Sequence, residues 1–173
     1  MREPPDFAAY VTERSPRLLR TAYLLCRDWA QAEDLLQTAL VKAWRAWRRI
    51  EDNPDPYVYR ILVNTHASWA KRYWRGERPT ERPPDGRDPA DGIGAAEDKA
   101  VLWAALGRLP HRQRATLVLR FFEDLSEPQV AAVLGCSVGT VKSQTSKALA
   151  KLRIDPGVLA AAPQGGNDRW HTN

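Results

Sequence analysis

The chain has 173 residues, and about half of its thirteen prolines and ten glycines fall in Pro79–Gly94 and Pro156–Gly166. Neither stretch has apolar periodicity, so two folded segments of under about a hundred residues each remain, too short for a large catalytic barrel or a doubly wound sheet. The net charge of +5 divides into +4 for residues 1–78 (14 basic, 10 acidic), −3 for 79–100 (3 and 6), +5 for 101–154 (8 and 3) and −1 for 155–173 (1 and 2). Two basic segments around an acidic connector suit a polyanionic partner, although a solvated basic surface gives the same arithmetic.

Phe7, Tyr10, Val11, Leu18, Leu19, Ala22 and Leu25 recur mostly at steps of three and four, which predicts a helix from Asp6 to Cys26 with a bend near Ser15-Pro16. A second helix starts around Trp29 to Ala32, with Glu33 and Asp34 in its first turns and Lys42, Arg45, Arg48 and Arg49 at its end, the polarity its macrodipole favours. Its apolar stripe is Leu36, Leu40, Ala43, Trp44, Trp47 and Ile50. Asn53-Pro54-Asp55-Pro56 then breaks the chain, since the residue before a proline is pushed toward extended backbone. A third helix runs from about Pro56 to Trp74, with Val58, Ile61, Leu62, Thr65 and Trp69 on one side and Lys71-Arg72-Tyr73-Trp74-Arg75 at its end. Gly76 to Ala95 is acidic, proline-rich and almost free of large apolar residues, and reads as an extended linker.

A second helical cluster follows, from Ala96 to Leu106 and then from Pro110 into Leu117, Val118, Phe121 and Phe122. Ser126-Glu127-Pro128-Gln129 is a capping box, with the proline in the first turn where a missing amide does little harm. That helix stops at Gly135, and Ser137 caps another from Val138 to Leu152, with Val141, Ala148, Leu149 and Leu152 inward and Lys142, Lys147 and Lys151 outward. A short capped helix, a three-residue turn with glycine and a second helix form the pattern of a helix-turn-helix, with Ala131 and Ala132 as the small residues at the crossing. Ser137, Thr140, Lys142, Ser143, Gln144 and Lys147 are the candidate DNA-facing residues: an amide side chain can read an adenine edge, and lysines can hold phosphates. An antiparallel helix hairpin inside an all-α core is the plainer alternative.

The third helix offers a second polar face. Asn64, Ser68, Lys71, Arg72 and Arg75 share one side, where they can follow a phosphate backbone while Trp69, Tyr73 or Trp74 stacks on an unpaired base. A solvated helix end with tryptophans packed inward fits the same residues. Glu33-Asp34 with Gln37 admits an acid/base or metal reading, but a carboxylate pair near a helix start more simply serves the helix dipole. His66, His111 and His171 stand apart, and there is no Ser/His/Asp grouping, phosphate loop or glycine fingerprint, so no catalytic, cofactor or metal residue is expected. Cys26 and Cys136 have no partner spacing for zinc and read as small core residues in a reducing cytoplasm. No basic start leads into an apolar run, and no run approaches eighteen apolar residues, so neither secretion nor membrane insertion is expected.

The order of these elements resembles the extracytoplasmic-function sigma factors of bacterial RNA polymerase, the compact two-domain type, and among them the actinobacterial ones. The matching residues are Ala32-Glu33-Asp34-Leu35-Leu36-Gln37 with Ala43-Trp44-Arg45, Tyr59 to Thr65, and Leu125-Ser126-Glu127 through Gly135 to Ser143. The resemblance implies an all-α chain: an N-terminal domain over 1–78, a flexible acidic linker over 79–95, a C-terminal helix-turn-helix domain over 96–154 and a flexible tail over 155–173. It implies that Asp34, Leu35 and Gln37 dock on the clamp coiled coil of the polymerase's largest subunit. Asn64, Ser68, Lys71, Arg72 and Arg75, with the loop Glu51 to Pro56, would hold the opened −10 element and a flipped base. The helix after Ser137 would enter the −35 major groove, and the second domain would also meet the flap of the other large subunit. The linker would thread toward the active-site cleft and RNA exit path. Core polymerase and promoter DNA are thus the implied partners, and an anti-sigma factor is left open as a further one. Thr38, Ser68 and Gln144 depart from the usual residues at their positions, so promoter preference does not carry over from relatives. An ordinary stand-alone helix-turn-helix regulator is the alternative, since its C-terminal half would look alike.

Overall fold

The computed structural model describes residues 6–50, 52–74 and 104–152, apart from the side chains of Tyr73 and Trp74. Arg75, the predicted linker and the predicted tail lie outside these residues. Among the described residues all regular structure is helical, and the chain divides into two compact units between Gly107 and Arg108.

In the first unit, α1 (Phe7–Cys26) starts at Asp6, whose carboxylate accepts from the Ala8 amide at 3.2 Å, and runs through Pro16 without interruption. It ends at Arg27, which takes the left-handed conformation at φ 63° and donates its amide to the Tyr23 carbonyl at 2.7 Å. The next helix, α2 (Trp29–Ala46), is capped by Asp28, which accepts from the Gln31 amide at 2.8 Å. Glu33 and Asp34 are therefore the fifth and sixth helical residues, beyond the first turn, and the capping explanation for them is corrected. A short 3-10 turn (Trp47–Arg49) follows.

The third helix, α3 (Pro54–Trp74), begins two residues earlier than predicted. Both prolines lie in its first turn, where their missing amides leave nothing unsatisfied, and Asn53 Oδ1 accepts from the Asp55 amide at 3.0 Å. The Pro-Asp-Pro run thus starts the helix rather than breaking the chain. Helix α2 packs against both α1 and α3. Its inner row contains Ala32, Ala39 and Ala43, all fully buried beside Leu35, and small residues allow close helix approach. Leu18, Ala22 and Leu25 of α1 and Val58 and Leu62 of α3 complete this core. A helical stretch over 104–107, α4, is the last described part of this unit.

The second unit opens with α5 (His111–Leu117), which runs into a π-turn (Val118–Phe122). Arg120 Nη1 donates to the Leu125 carbonyl at 2.7 Å, tying that turn to the start of the next element. In α6 (Glu127–Leu134) the predicted capping box is present: Ser126 Oγ accepts from the Gln129 amide at 3.3 Å, and Gln129 Oε1 accepts from the Ser126 amide at 2.7 Å. Gly135 ends α6 at φ 64°, and α7 (Val138–Leu152) packs against α5 and α6 through Val141, Ala148 and Leu149.

Two small-residue expectations change. Ala131 lies at the crossing as expected, but Ala132 is exposed, because one step along a helix turns the side chain by about 100°. Cys26 and Cys136 are half-buried rather than core, since one ends α1 and the other sits in the turn between α6 and α7. At Gly135 an added Cβ meets nothing within 4 Å, so the backbone angle alone decides the cost of a side chain. Gly135→Ala is expected to destabilise the second unit by about 1 kcal/mol, measured as the shift in its urea midpoint.

Candidate nucleic-acid interface

Helix α7 divides into two rows. Val141, Ala148 and Leu149 are buried, while Lys142, Ser143, Lys147 and Lys151 are exposed and Gln144 is half-buried at their edge. Ser137 and Thr140 behave differently from the rest of the predicted face. Ser137 Oγ accepts from the Thr140 amide at 3.1 Å and lies 2.9 Å from Thr140 Oγ1, so both hydroxyls serve the cap that starts the helix. The open polar groups are therefore Lys142, Ser143, Gln144 and Lys147. Lys142 Nζ lies 3.8 Å from Glu127 Oε2 at the start of α6, an exposed pair worth little in stability.

On α3, Asn64, Ser68, Lys71 and Arg72 are all exposed, alongside a row in which Val58, Leu62 and Thr65 are buried. Trp69 is half-buried, so one of the three rings considered for base stacking is partly turned into the unit, while the Tyr73 and Trp74 side chains lie outside the described residues. Thr65 Oγ1 accepts from Lys42 Nζ at 3.0 Å, placing a lysine of α2 beside this helix. Arg60, exposed one turn before Asn64, lies on the same side. Its four-residue spacing from Asn64 was the available signal, masked by the expectation that the polar row began at Asn64.

The start of α3 is more closely tied down than its sequence suggests. Asp55 is 2% exposed; it accepts from Tyr10 Oη at 2.9 Å and forms an ion pair with Arg14, both on α1. Burial pushes the Tyr10 phenol well above its usual range, so through the neutral range its hydroxyl keeps the proton it donates.

On α2, Asp34 and Gln37 are exposed but Leu35 is fully buried. Leu35 is therefore corrected from docking residue to core residue: it belongs to the row that packs with Ala32 and Ala39. Two apolar residues take its place on the surface. Val41 is 53% exposed and Trp44 61%, and with Asp34 and Gln37 they form one row at steps of three and four. Sequence periodicity assigned Trp44 to the apolar stripe. Its ring does touch Phe7, with centroids 5.0 Å apart, but most of it faces solvent above a groove also lined by Trp47, Arg45, Arg48 and Arg49.

Among the described residues no group of three His, Cys, Asp or Glu side chains could hold a metal ion, and no helix is long and apolar enough to cross a membrane.

The described residues thus form two helical units, one presenting a helix-turn-helix and the other a helix with an exposed basic face. Residues 10–76 match the family described as Sigma-70 region 2, and residues 99–152 match Sigma-70, region 4. The chain belongs to the sigma-70 family of RNA polymerase sigma factors, in its extracytoplasmic-function group. It is 41% identical over 155 residues to the RNA polymerase sigma-E factor of Streptomyces coelicolor, covering 88% of this chain and 87% of that one. It is 30% identical over 153 residues to the ECF RNA polymerase sigma factor SigL of Mycobacterium tuberculosis, covering 84% and 86%. Among solved structures it is similar to the sigma factor RpoE of Bartonella quintana, determined in complex with the anti-sigma factor NepR, with a TM-score of 0.72, 26% identity and coverage of 92% of this chain and 99% of that one.

Proposed function

We propose that this sigma factor directs core RNA polymerase to promoters by reading two elements, one with each unit, and helps to open the −10 region. The observation that carries the reading is two polar sets at the surface, Asn64, Ser68, Lys71 and Arg72 on α3 and Lys142, Ser143, Gln144 and Lys147 on α7, all exposed but the half-buried Gln144, on helices seated by their buried residues. Arg75 continues the first row by sequence spacing. Exposed lysines and arginines suit a phosphate backbone, and the amide and hydroxyl groups beside them suit base edges. In the second unit Ser137 and Thr140 fix the start of the reading helix rather than read bases themselves. The row Asp34, Gln37, Val41 and Trp44 serves as the polymerase-docking face, with the flap a second contact for the C-terminal unit. The chain acts in the cytoplasm and carries out no chemistry of its own. Relatives with solved structures support an anti-sigma factor as a further partner.

The test is transcription by core polymerase, with and without the chain, from a genomic promoter library. Start-specific transcripts that depend on the chain support the reading, and their absence across the library sinks it. Family membership already weighs against a stand-alone helix-turn-helix regulator, which would bind its operator without polymerase. At residue level, Asn64→Ala is expected to weaken binding of the opened −10 strand about tenfold, the scale of one polar base contact, while core binding persists. Polarisation titrations with a labelled oligonucleotide measure it.

A further inference from the structure

The exposed face of α2 is symmetric about its middle. Val41, 53% exposed, has Thr38 and Trp44 three residues to either side, Gln37 and Arg45 four, and Asp34 and Arg48 seven. At about 100° per residue the helical members of this set lie within about 60° of Val41, so they share one face. Arg48 follows in the 3-10 turn and lines the same groove as Trp44 and Arg45. Thr38 is half-buried and the others are exposed. Among the described residues, Asp34, Gln37, Arg45 and Arg48 make no ion pair or side-chain hydrogen bond.

Two ordinary causes do not account for the pattern. The helix dipole favours acid before base, but its effect falls off within the first and last turns, and Asp34 is the sixth residue of α2. Core packing does not hold Val41 or Trp44, both more than half exposed. What the pattern does satisfy is a two-fold axis. When a second copy of the same helix lies antiparallel across Val41, each residue meets the one at equal distance on the opposite side. Asp34 then meets Arg48, Gln37 meets Arg45, Trp44 covers Thr38, and the two valines touch. Each acidic end faces a guanidinium, twice over, and the antiparallel helix dipoles attract. A partner of unrelated sequence requires no such symmetry in this chain.

We propose that two copies of the chain pair through α2, antiparallel and two-fold about Val41, in a form that keeps the polymerase-docking row covered. The covering of that row rests on the docking reading given above; the pairing itself does not. One helix face is at the small end of protein interfaces, so the dissociation constant is expected at about 10 to 100 µM. Core polymerase can then displace the second copy.

Sedimentation equilibrium of the full chain, carried to about ten times that constant, is the test. Wild type should pass from monomer to dimer and no further, since a two-fold contact closes on itself. Asp34→Arg and Arg48→Asp each set two like-charged pairs across the axis, and each should raise the dissociation constant at least about thirtyfold. The two changes together exchange the charges and should restore pairing to within about threefold of wild type. Mixed one to one, the single variants should pair with each other although neither pairs with itself, because one is positive at both ends of the face and the other negative. Both positions are exposed, and circular dichroism checks that the helices persist.

A wild-type chain that stays monomeric throughout overturns the pairing. So does a dimer that neither reversal weakens, or a mixture of the single variants that stays monomeric. In a separate arm core polymerase is added to the wild-type dimer, and complexes holding a single copy are expected. A polymerase complex that retains both copies leaves the pairing standing and overturns the docking reading of this row.

Discussion

Asp34→Arg is expected to remove the chain from core polymerase while leaving its helices folded, and Leu35→Asp, one residue along, is expected to unfold the first unit. The two side chains are neighbours in sequence but point about 100° apart around α2. Asp34 is exposed at the head of the row that continues through Gln37, Val41 and Trp44, and helix capping no longer accounts for its charge because Asp28 performs the cap. Reversing a charge that becomes desolvated in an interface costs about 2 to 3 kcal/mol, so affinity for core polymerase should fall about thirty- to a hundredfold. Leu35 is fully buried. Replacing it with a carboxylate combines a lost leucine with an unpaired buried charge, a loss of more than about 4 kcal/mol and a large fraction of a small domain's stability. Circular dichroism on melting separates the variants, and co-purification with core polymerase measures the docking. If Asp34→Arg still co-purifies at wild-type yield, the docking row lies elsewhere.

Lys142→Ala combined with Lys147→Ala is expected to lower affinity for the −35 duplex by one to two orders of magnitude and to reduce the slope of log affinity against log salt by about 2. Both ammonium groups stand on the exposed row of α7, five residues apart. Each phosphate contact releases condensed counterions, so losing two contacts should leave a signature in salt dependence that loss of a base contact does not. Folding should be unaffected, because the Lys142 pairing with Glu127 is 3.8 Å long and largely solvated. The ratio between specific and scrambled duplexes should also hold. If that ratio collapses instead, the lysines read bases, and the phosphate role passes to other groups.

What the sequence disclosed depends on how local the cause is. The helix-turn-helix was legible down to individual bonds, because Ser126, Gln129, Gly135 and Ser137 each act on backbone within three to five residues. The start of α3 was misplaced because a proline's effect depends on where the first turn begins: the same two residues that end a helix from inside are harmless at its head. Leu35 and Trp44 were misassigned for a related reason. Both are apolar on an amphipathic helix, and periodicity locates a stripe without fixing its edges, so one residue beside the stripe proved buried and one within it exposed. The Tyr10, Arg14 and Asp55 cluster left no trace in any local window, since it exists only once α1 and α3 meet. The polar rows of α3 and α7 were legible as rows, but only the structure separated the hydroxyls of Ser137 and Thr140, occupied at the cap, from the groups beside them.

The division of labour along α7 bears on how such chains diversify. The residues that set the helix's start and seat, from Gly135 through Ser137 and on to Val141, Ala148 and Leu149, share no member with the open polar set Lys142, Ser143, Gln144 and Lys147. On the proposed reading, changes at the four open positions are expected to alter target preference without loss of stability. Grafting those positions from another family member onto this scaffold amounts to changing a key's teeth while keeping its shaft, and is expected to redirect the chain to a separate promoter set.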